Sequence, residues 1–524
     1  MKALVPILTM AMLAVVPAAL SAPKALCVGG PGCYPTLQAA VAAANDGDTI
    51  RVNAGTFAGG VTIAKSVKLV GAGASATVIA GGGPVLTIGV FHAASEPTVS
   101  ISGVTITGGV TTSSFGSGGS RAAGGGVQIP ANADCSGGAT VTITDSVITN
   151  NTAAPSAGGT DVAPCPGSHT VYSLAAGGGI YNAGELTLVR TTVSANTAGG
   201  PTASNAWGGG ILSTPQGGSL TILDSVVRDN QAAVVDPNGV QATGAGILAQ
   251  TGDFVVKNSL VIGNSAKLTS AKGSVDGVFQ ANAGGIGCDR SADITGTRID
   301  GNVATVSDAN GEPAAFDSGM GCGSSGGTLS LKNSSVSNNR VIANVADTTD
   351  SGPDGTALEF DDAAVVTNTV VQGNAAVVKT AGGLAAAQGA VLDLAAATVT
   401  INNAVVAGNT MSATNASGPA QVFGGGIANA GALALKNVAV TGNTGTATGA
   451  GGTAQGGGIW NGSLFGSTPS LLSLENTAVS GNRLGGSGSV VVQGAGIYSL
   501  GFGVSLKNAA VAHNTPDQCF GLTC

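Results

Sequence analysis

The carboxylates of Leu358-Glu-Phe-Asp-Asp362 are the side chains whose spacing comes closest to catalytic equipment. Residues two apart on a strand point the same way, so with Leu358 turned inward Glu359 and Asp361 would both face out, about 6.6 Å apart. Two carboxyls near the roughly 6.5–9.5 Å separation of inverting glycosidases can act as general acid and as base on a water. The same oxygens could hold calcium, or could merely solvate an outer face. No Arg or Lys base close in sequence supports a lyase. Trp460 and Tyr498 each follow an Ile in corresponding phrases and are expected to stack outward, where they could dock a sugar ring or a protein partner. Tyr181 belongs to the same column, but so do Leu212, Leu248 and Leu392, which suits a covered strip instead. His92, His169 and His513 are scattered, no Cys pair has zinc-finger spacing, and no Ser-His-Asp or Cys-His arrangement is readable, so no metal centre is expected. The glycine runs lack the Lys and the following helix of a phosphate loop.

These residues hang on a repeat. An apolar residue, two variable residues and Asn recur at Asn151, Asn196, Asn230, Asn264, Asn302, Asn339, Asn374, Asn409, Asn443, Asn482 and Asn514, at intervals of 32 to 45 residues. A degenerate copy ends at Gly109. A second phrase precedes each Asn, in full form Gly-Gly-Gly-Ile, as at Gly177–Ile180, Gly208–Ile211, Gly424–Ile427 and Gly456–Ile459. Between the two lies an alternating stretch such as Glu185-Leu-Thr-Leu-Val189, the period-two signal of a strand. One unit therefore predicts three short strands and a Gly-, Ser-, Ala- and Thr-rich loop. No helical pattern separates the strands, which disfavours βαβ folds, and propeller blades would need tight antiparallel hairpins. An all-β parallel β-helix solenoid follows, of about 12–15 coils and roughly 60–70 Å long at ~4.8 Å per coil.

In such a stack equivalent residues form columns. The Asn column is expected at a bend in left-handed backbone, its amides bonded up and down as a ladder. That role is structural and not a row of substrate ligands. Glycines serve another corner by positive φ or close approach. Asp289 would share the column of Asp361, two coils earlier. Cys288 and Cys322 lie two residues beyond Ile286 and Met320, so consecutive coils should bring their Cα atoms to about 5 Å and allow a disulfide. Pairs Cys27–Cys33, Cys135–Cys165 and Cys519–Cys524 rest on proximity in sequence alone.

The ends read differently. Residues 1–22, with Lys2, an apolar run and small Ala19 and Ser21, read as a secretory signal peptide. Thr36 is the expected N-cap of a helix with Leu37, Ala40, Val41 and Ala44 on one face. Residues 23–60 then form an N-terminal cap and entry coil, 61–510 the β-helix, and 511–524 a disulfide cap. No later segment suits a transmembrane span. Eight cysteines in an exported chain favour disulfides. Only 9% of the residues are charged, and the net charge is −8 with no basic stripe, which argues against nucleic-acid binding. Hydrophobic residues at 43% with Gly at 87 of 524 give ample small apolar surface to bury, not a disordered chain.

The Asn45-Asp-Gly-Asp-Thr-Ile-Arg-Val52 and Gly55-Thr-Phe57 stretch, with the Gly-Gly-Gly-Ile…Asn units, resembles right-handed parallel β-helix proteins of the pectin-lyase-like kind, and more loosely the passengers of bacterial polymorphic outer-membrane proteins. The resemblance implies right-handed coiling, export, a secreted, cell-surface or outer-membrane location, and an adhesin-like role toward a glycan or a surface protein. It also admits a polysaccharide lyase or glycoside hydrolase working in a groove of the same fold. The chain departs from outer-membrane passengers in having no C-terminal β-barrel pattern, and it also lacks an LPXTG-type sorting tail. The leading expectation is a non-catalytic scaffold without a cofactor.

Overall fold

A computed structural model describes residues 22–93, 95–114, 120–156, 173–215, 218–235, 240–270, 279–308, 313–323, 326–345, 357–393, 398–463, 470–500 and 503–524. Strand pairing throughout is parallel and joins each unit to the next, so the chain is a β-solenoid. One turn runs as follows. Glu185–Val189 lies in a 15-stranded sheet (sheet 1) and Thr192–Ser194 in a 14-stranded sheet (sheet 2). Thr197–Gly200 lies in an 11-stranded sheet (sheet 3), and Asn205–Trp207 in a sheet of six strands (sheet 4). Ile211–Ser213 lies in a second 14-stranded sheet (sheet 5), and Ser219–Leu223 re-enters sheet 1. Toward the C-terminus a separate four-stranded sheet takes the place of sheet 4.

The coil thus carries up to five strands where the sequence predicts three. The two extra strands lie in the stretch expected to be loop. That stretch reads as loop because it is built of Ala, Gly, Ser and Thr. Those small side chains point inward all the same: Ala198 of sheet 3 and Ala206 of sheet 4 are both fully buried in the common core. The alternation in sheets 1, 2 and 5 behaves as predicted. Leu186 and Leu188 are buried while Glu185, Thr187 and Val189 face out. Each such buried Leu or Ile contributes about 1.5–3 kcal/mol, and the columns repeat this coil after coil.

The Asn column is continuous from Asn151 to Asn514, every member at most 3% exposed. Each Nδ2 donates to the Oδ1 of the next Asn, as in Asn264 to Asn302 and Asn302 to Asn339 at 2.9 Å. The same Nδ2 donates to a carbonyl of the preceding coil, for Asn302 that of Val261 at 3.0 Å. Each Oδ1 also accepts the backbone N–H of the preceding Asn, so both hydrogens and both lone pairs of every interior amide are used. Gly109 donates its N–H into the column at its start, and Gln518 closes it by accepting from Asn514. The left-handed backbone is not on the Asn itself, contrary to expectation. The residue before it turns the chain: Asn150, Ala195, Asp229, Asn338 and His513 have φ of 53–59°, and glycine serves in other coils. The reversal comes one residue early so that the Asn amide can point inward along the stack.

The glycine phrase is the other half of this device. Gly177 takes φ +61° at the turn from sheet 4 into sheet 5. Gly179 needs no positive φ, but a methyl there would stand 2.6 Å from the Gly210 carbonyl and 2.9 Å from Asn196 Nδ2. The same contact recurs at Gly210 with Asn230, Gly285 with Asn302 and Gly426 with Asn443. Glycine and Asn rows therefore meet inside the coil and pinch it, with sheets 5, 1 and 2 on one side and sheets 3 and 4 on the other.

Cys288 and Cys322 are paired in register and disulfide-bonded, with Cα atoms 4.6 Å apart. Cys27–Cys33 and Cys519–Cys524 are also bonded. The proposed partner of Cys135, Cys165, lies outside the described residues, as do residues 1–21 of the expected signal peptide. At the N-terminal end the helix α1 (Leu37–Ala43) is capped by Thr36, whose Oγ accepts from the Ala39 N–H, and buries Leu37, Ala40 and Val41. Among the described residues no helix is long and apolar enough to cross a membrane.

Candidate functional site

Glu359 sits mid-strand in sheet 5, between Gly321 and Leu392 of the neighbouring coils. Leu358 and Phe360 on either side are buried in the core, which leaves Glu359 half-buried on the opposite face. The strand ends at Phe360, so the alternation that would carry Asp361 outward in parallel with Glu359 stops there. Asp361 lies just past the strand end, with its carboxyl within hydrogen-bonding reach of that of Glu359. Burial raises the Asp361 carboxyl above the ordinary range, and the charge of Asp362 pushes the same way against the Glu359 bond. Two carboxyls in direct hydrogen bond are about 3 Å apart, well inside the roughly 5–5.5 Å of retaining and 6.5–9.5 Å of inverting glycosidases.

Asp289 does share the column of Asp361. The N–H groups of Asp289, Gly323 and Asp361 each bond the coil below, to Ala249, Cys288 and Cys322. Gly323 stands between the two acids, and a methyl on it would lie 2.3 Å from Asp361 Cβ. Asp289 is raised by burial and accepts from Gln250 Nε2 at 3.0 Å. Asp362 accepts the N–H groups of Gly326 and Gly327 at 3.0 and 3.1 Å. Arg290 and Asp362 line a crevice of about 10 Å³, room for a single water. Asp317, which the sequence reading passed over, holds its carboxylate over Gly321, where a methyl would stand 2.1 Å from it. The acids are therefore near one another without forming a groove, and among the described residues no three His, Cys, Asp or Glu side chains converge as metal ligands. The larger hollow, an open trough of about 430 Å³, lies elsewhere, on the outer face of sheet 1 along Thr400, Ala434, Leu471 and Ser473.

Trp460 and Tyr498 are in register in sheet 5, as predicted, but are only 5% and 8% exposed. Trp460 packs on Phe423 with ring centroids 4.9 Å apart, and its indole N–H donates to Gln455. Tyr498 stacks on Phe520 at 5.5 Å. Tyr181, Leu212 and Leu248 fill the same column lower down, closed over with Leu174 and Trp207. The outer face of sheet 5 is a second, covered core. Both rings are covered and not presented outward, Trp460 by Phe423 of a strand that reads as loop and Tyr498 by Phe520 of the C-terminal segment.

A second Asn row escaped the sequence reading. Asn333, Asn368, Asn403, Asn437, Asn476 and Asn508 occupy the turn from sheet 1 to sheet 2 with φ of 49–54°. They are exposed and bond in pairs, Asn368 to Asn333 at 3.0 Å, Asn437 to Asn403 at 2.9 Å and Asn508 to Asn476 at 2.7 Å. The signal was available: each lies six residues before a buried Asn. No protein-family model matches the chain, and no curated protein matches it.

Proposed function

We propose that the chain is an exported, non-catalytic β-solenoid scaffold that presents its flat faces and loops to a surface, a glycan or a protein partner. One observation carries this reading: the chemistry most conspicuous in the sequence is turned to holding the stack. The Asn amides bond one another, the aromatics are covered, and Glu359 and Asp361 bond each other instead of framing a substrate. What faces outward on sheet 1 is short and largely hydroxylic, as in Thr142, Thr187, Thr221 and Thr400. The three disulfides between described residues are compatible with an extracellular setting. The rival reading is a polysaccharide lyase or glycoside hydrolase on the same fold. Incubation of the chain with acidic and neutral polysaccharides, with and without calcium, separates the two. Retention on one of these polymers or on intact cells, with no reducing or unsaturated ends released, supports the scaffold. Release of such ends that is lost in Glu359→Ala or Asp361→Ala overturns it.

A further inference from the structure

The corner between sheets 5 and 1 can be turned in as few as two residues, as by Ala183-Gly184 and Ala430-Gly431. Two early coils spend far more. Residues 89–97 and 130–139 make long excursions there, one on top of the other. They are tied by two backbone bonds, His92 N–H to the Ala131 carbonyl and Ala133 N–H to the Ala93 carbonyl. Within the first excursion Glu96 turns its carboxyl under Gly89. A methyl on Gly89 would stand 2.3 Å from Glu96 Oε2 and 3.6 Å from Ala139 Cβ, so the absence of a side chain there makes the seat. Both carboxyl oxygens are shut off from water, and the Val90 N–H is the one donor close to them among the described residues.

A carboxylate cannot be held in such a seat without a large loss of hydration, whereas the neutral acid can. We propose that Glu96 is a protonation latch: seated as the neutral acid it holds residues 90–93 against residues 131–133, and on ionising it leaves the seat and frees the two excursions. Burial raises the Glu96 carboxyl, only partly opposed by the Val90 N–H. A raised folded value means that the closed form is favoured below the ordinary glutamate range and is lost as pH rises through that raised value. The surrounding charges do not supply the switch. On the same excursion His92 stacks on Phe91 at 3.9 Å. Lys65, on the turn below, donates to the Ala42 and Ala44 carbonyls. Asp134, on the excursion above, accepts from Ser136. Glu96 is thus the group whose ionisation the seat resists.

Hydrogen exchange followed by mass spectrometry tests the latch, on peptides spanning 90–97 and 130–139, at pH 5 and pH 8 with rates corrected for intrinsic exchange. The wild type is expected to lose protection there at least several-fold between the two values, while the two-residue corner at 183–184 does not change. Glu96→Gln, neutral at both values, should keep the protection at pH 8. Gly89→Ala, which fills the seat, should be open already at pH 5. Equal protection of the wild type at both pH values, or a loss in Glu96→Gln as large as in the wild type, overturns the proposal.

Discussion

Two rows of asparagine line this molecule, one along nearly all of the stack and one along its C-terminal half, and they do opposite work. In the inner row, Asn151 to Asn514, the side chains are buried, the residue before each one takes the left-handed turn, and every amide atom is bonded. In the outer row, Asn333 to Asn508, the Asn is itself the left-handed residue, its side chain lies in water, and bonding stops at pairs. The inner row is chosen for its amide. Its Nδ2 and Oδ1 are the only short side-chain groups that can donate and accept along a stack axis while also satisfying backbone from two coils. The outer row is chosen for its backbone, since Asn tolerates positive φ better than other residues with a side chain, and Asp145, Asp224 and Gly296 substitute for it. Recurrence of a residue type therefore does not reveal its role; which atoms are buried does.

The largest effect expected from breaking the comparison is Asn302→Ala. It removes the acceptor of both the Asn264 N–H and the Asn264 Nδ2, and a donor to the Val261 carbonyl, all inside the pinch. Stranding these buried groups should cost about 3–5 kcal/mol, read from urea unfolding at constant m. Gly285→Ala attacks the same place from the opposite wall. A methyl there meets the Gly319 carbonyl at 2.4 Å and Asn302 Nδ2 at 2.9 Å, neither of which can retreat without breaking the row. A loss of about 2–3 kcal/mol is expected. A near-neutral outcome for either variant would mean the ladder is not what joins the coils. On the outer row Asn368→Ala should cost about 1 kcal/mol, the penalty of placing Cβ at φ +51° without a local side-chain bond. Asn368→Gly should stay within about 0.5 kcal/mol of wild type. If Asn368→Gly instead cost as much as Asn302→Ala, the outer bonds would have to be reckoned structural.

The inner row was legible because an inward polar residue must recur in every coil or strand its neighbours, and that strictness survives in the spacing. The Cys288–Cys322 pairing was legible for the same reason, being a statement of register. Sheets 3 and 4 were not. Many of their inward residues are Ala, with larger ones such as Leu268, Val341 and Met411 only here and there, and strands written largely in small residues look like linkers. That single misreading also made Trp460 look exposed, since the strand carrying Phe423 over it was counted as loop. The acid pair failed for a different reason. Its geometry depends on where a strand stops, and nothing in Glu359-Phe-Asp361 marks Phe360 as its last residue.

The acid pair supplies the mildest test, because it belongs to neither row and occurs once. Its two carboxyls share a hydrogen bond that requires a proton, and burial raises Asp361. The raised folded value means that the pair contributes fully below the ordinary aspartate range near 3.9 and that this contribution is lost as pH rises through the raised value. Asp361→Asn keeps the bond without the proton. Its melting temperature should match that of the wild type near pH 4 and move above it as pH approaches 7, a shift smaller than that of any variant at the pinch. A constant gap across that range would mean that Asp361 is ionised throughout and that its bond to Glu359 is not what the coil relies on. A gap as wide as that of Asn302→Ala would be more informative still, since a single unrepeated contact would then weigh as much as a rung of the ladder, and the coils could no longer be treated as equivalent.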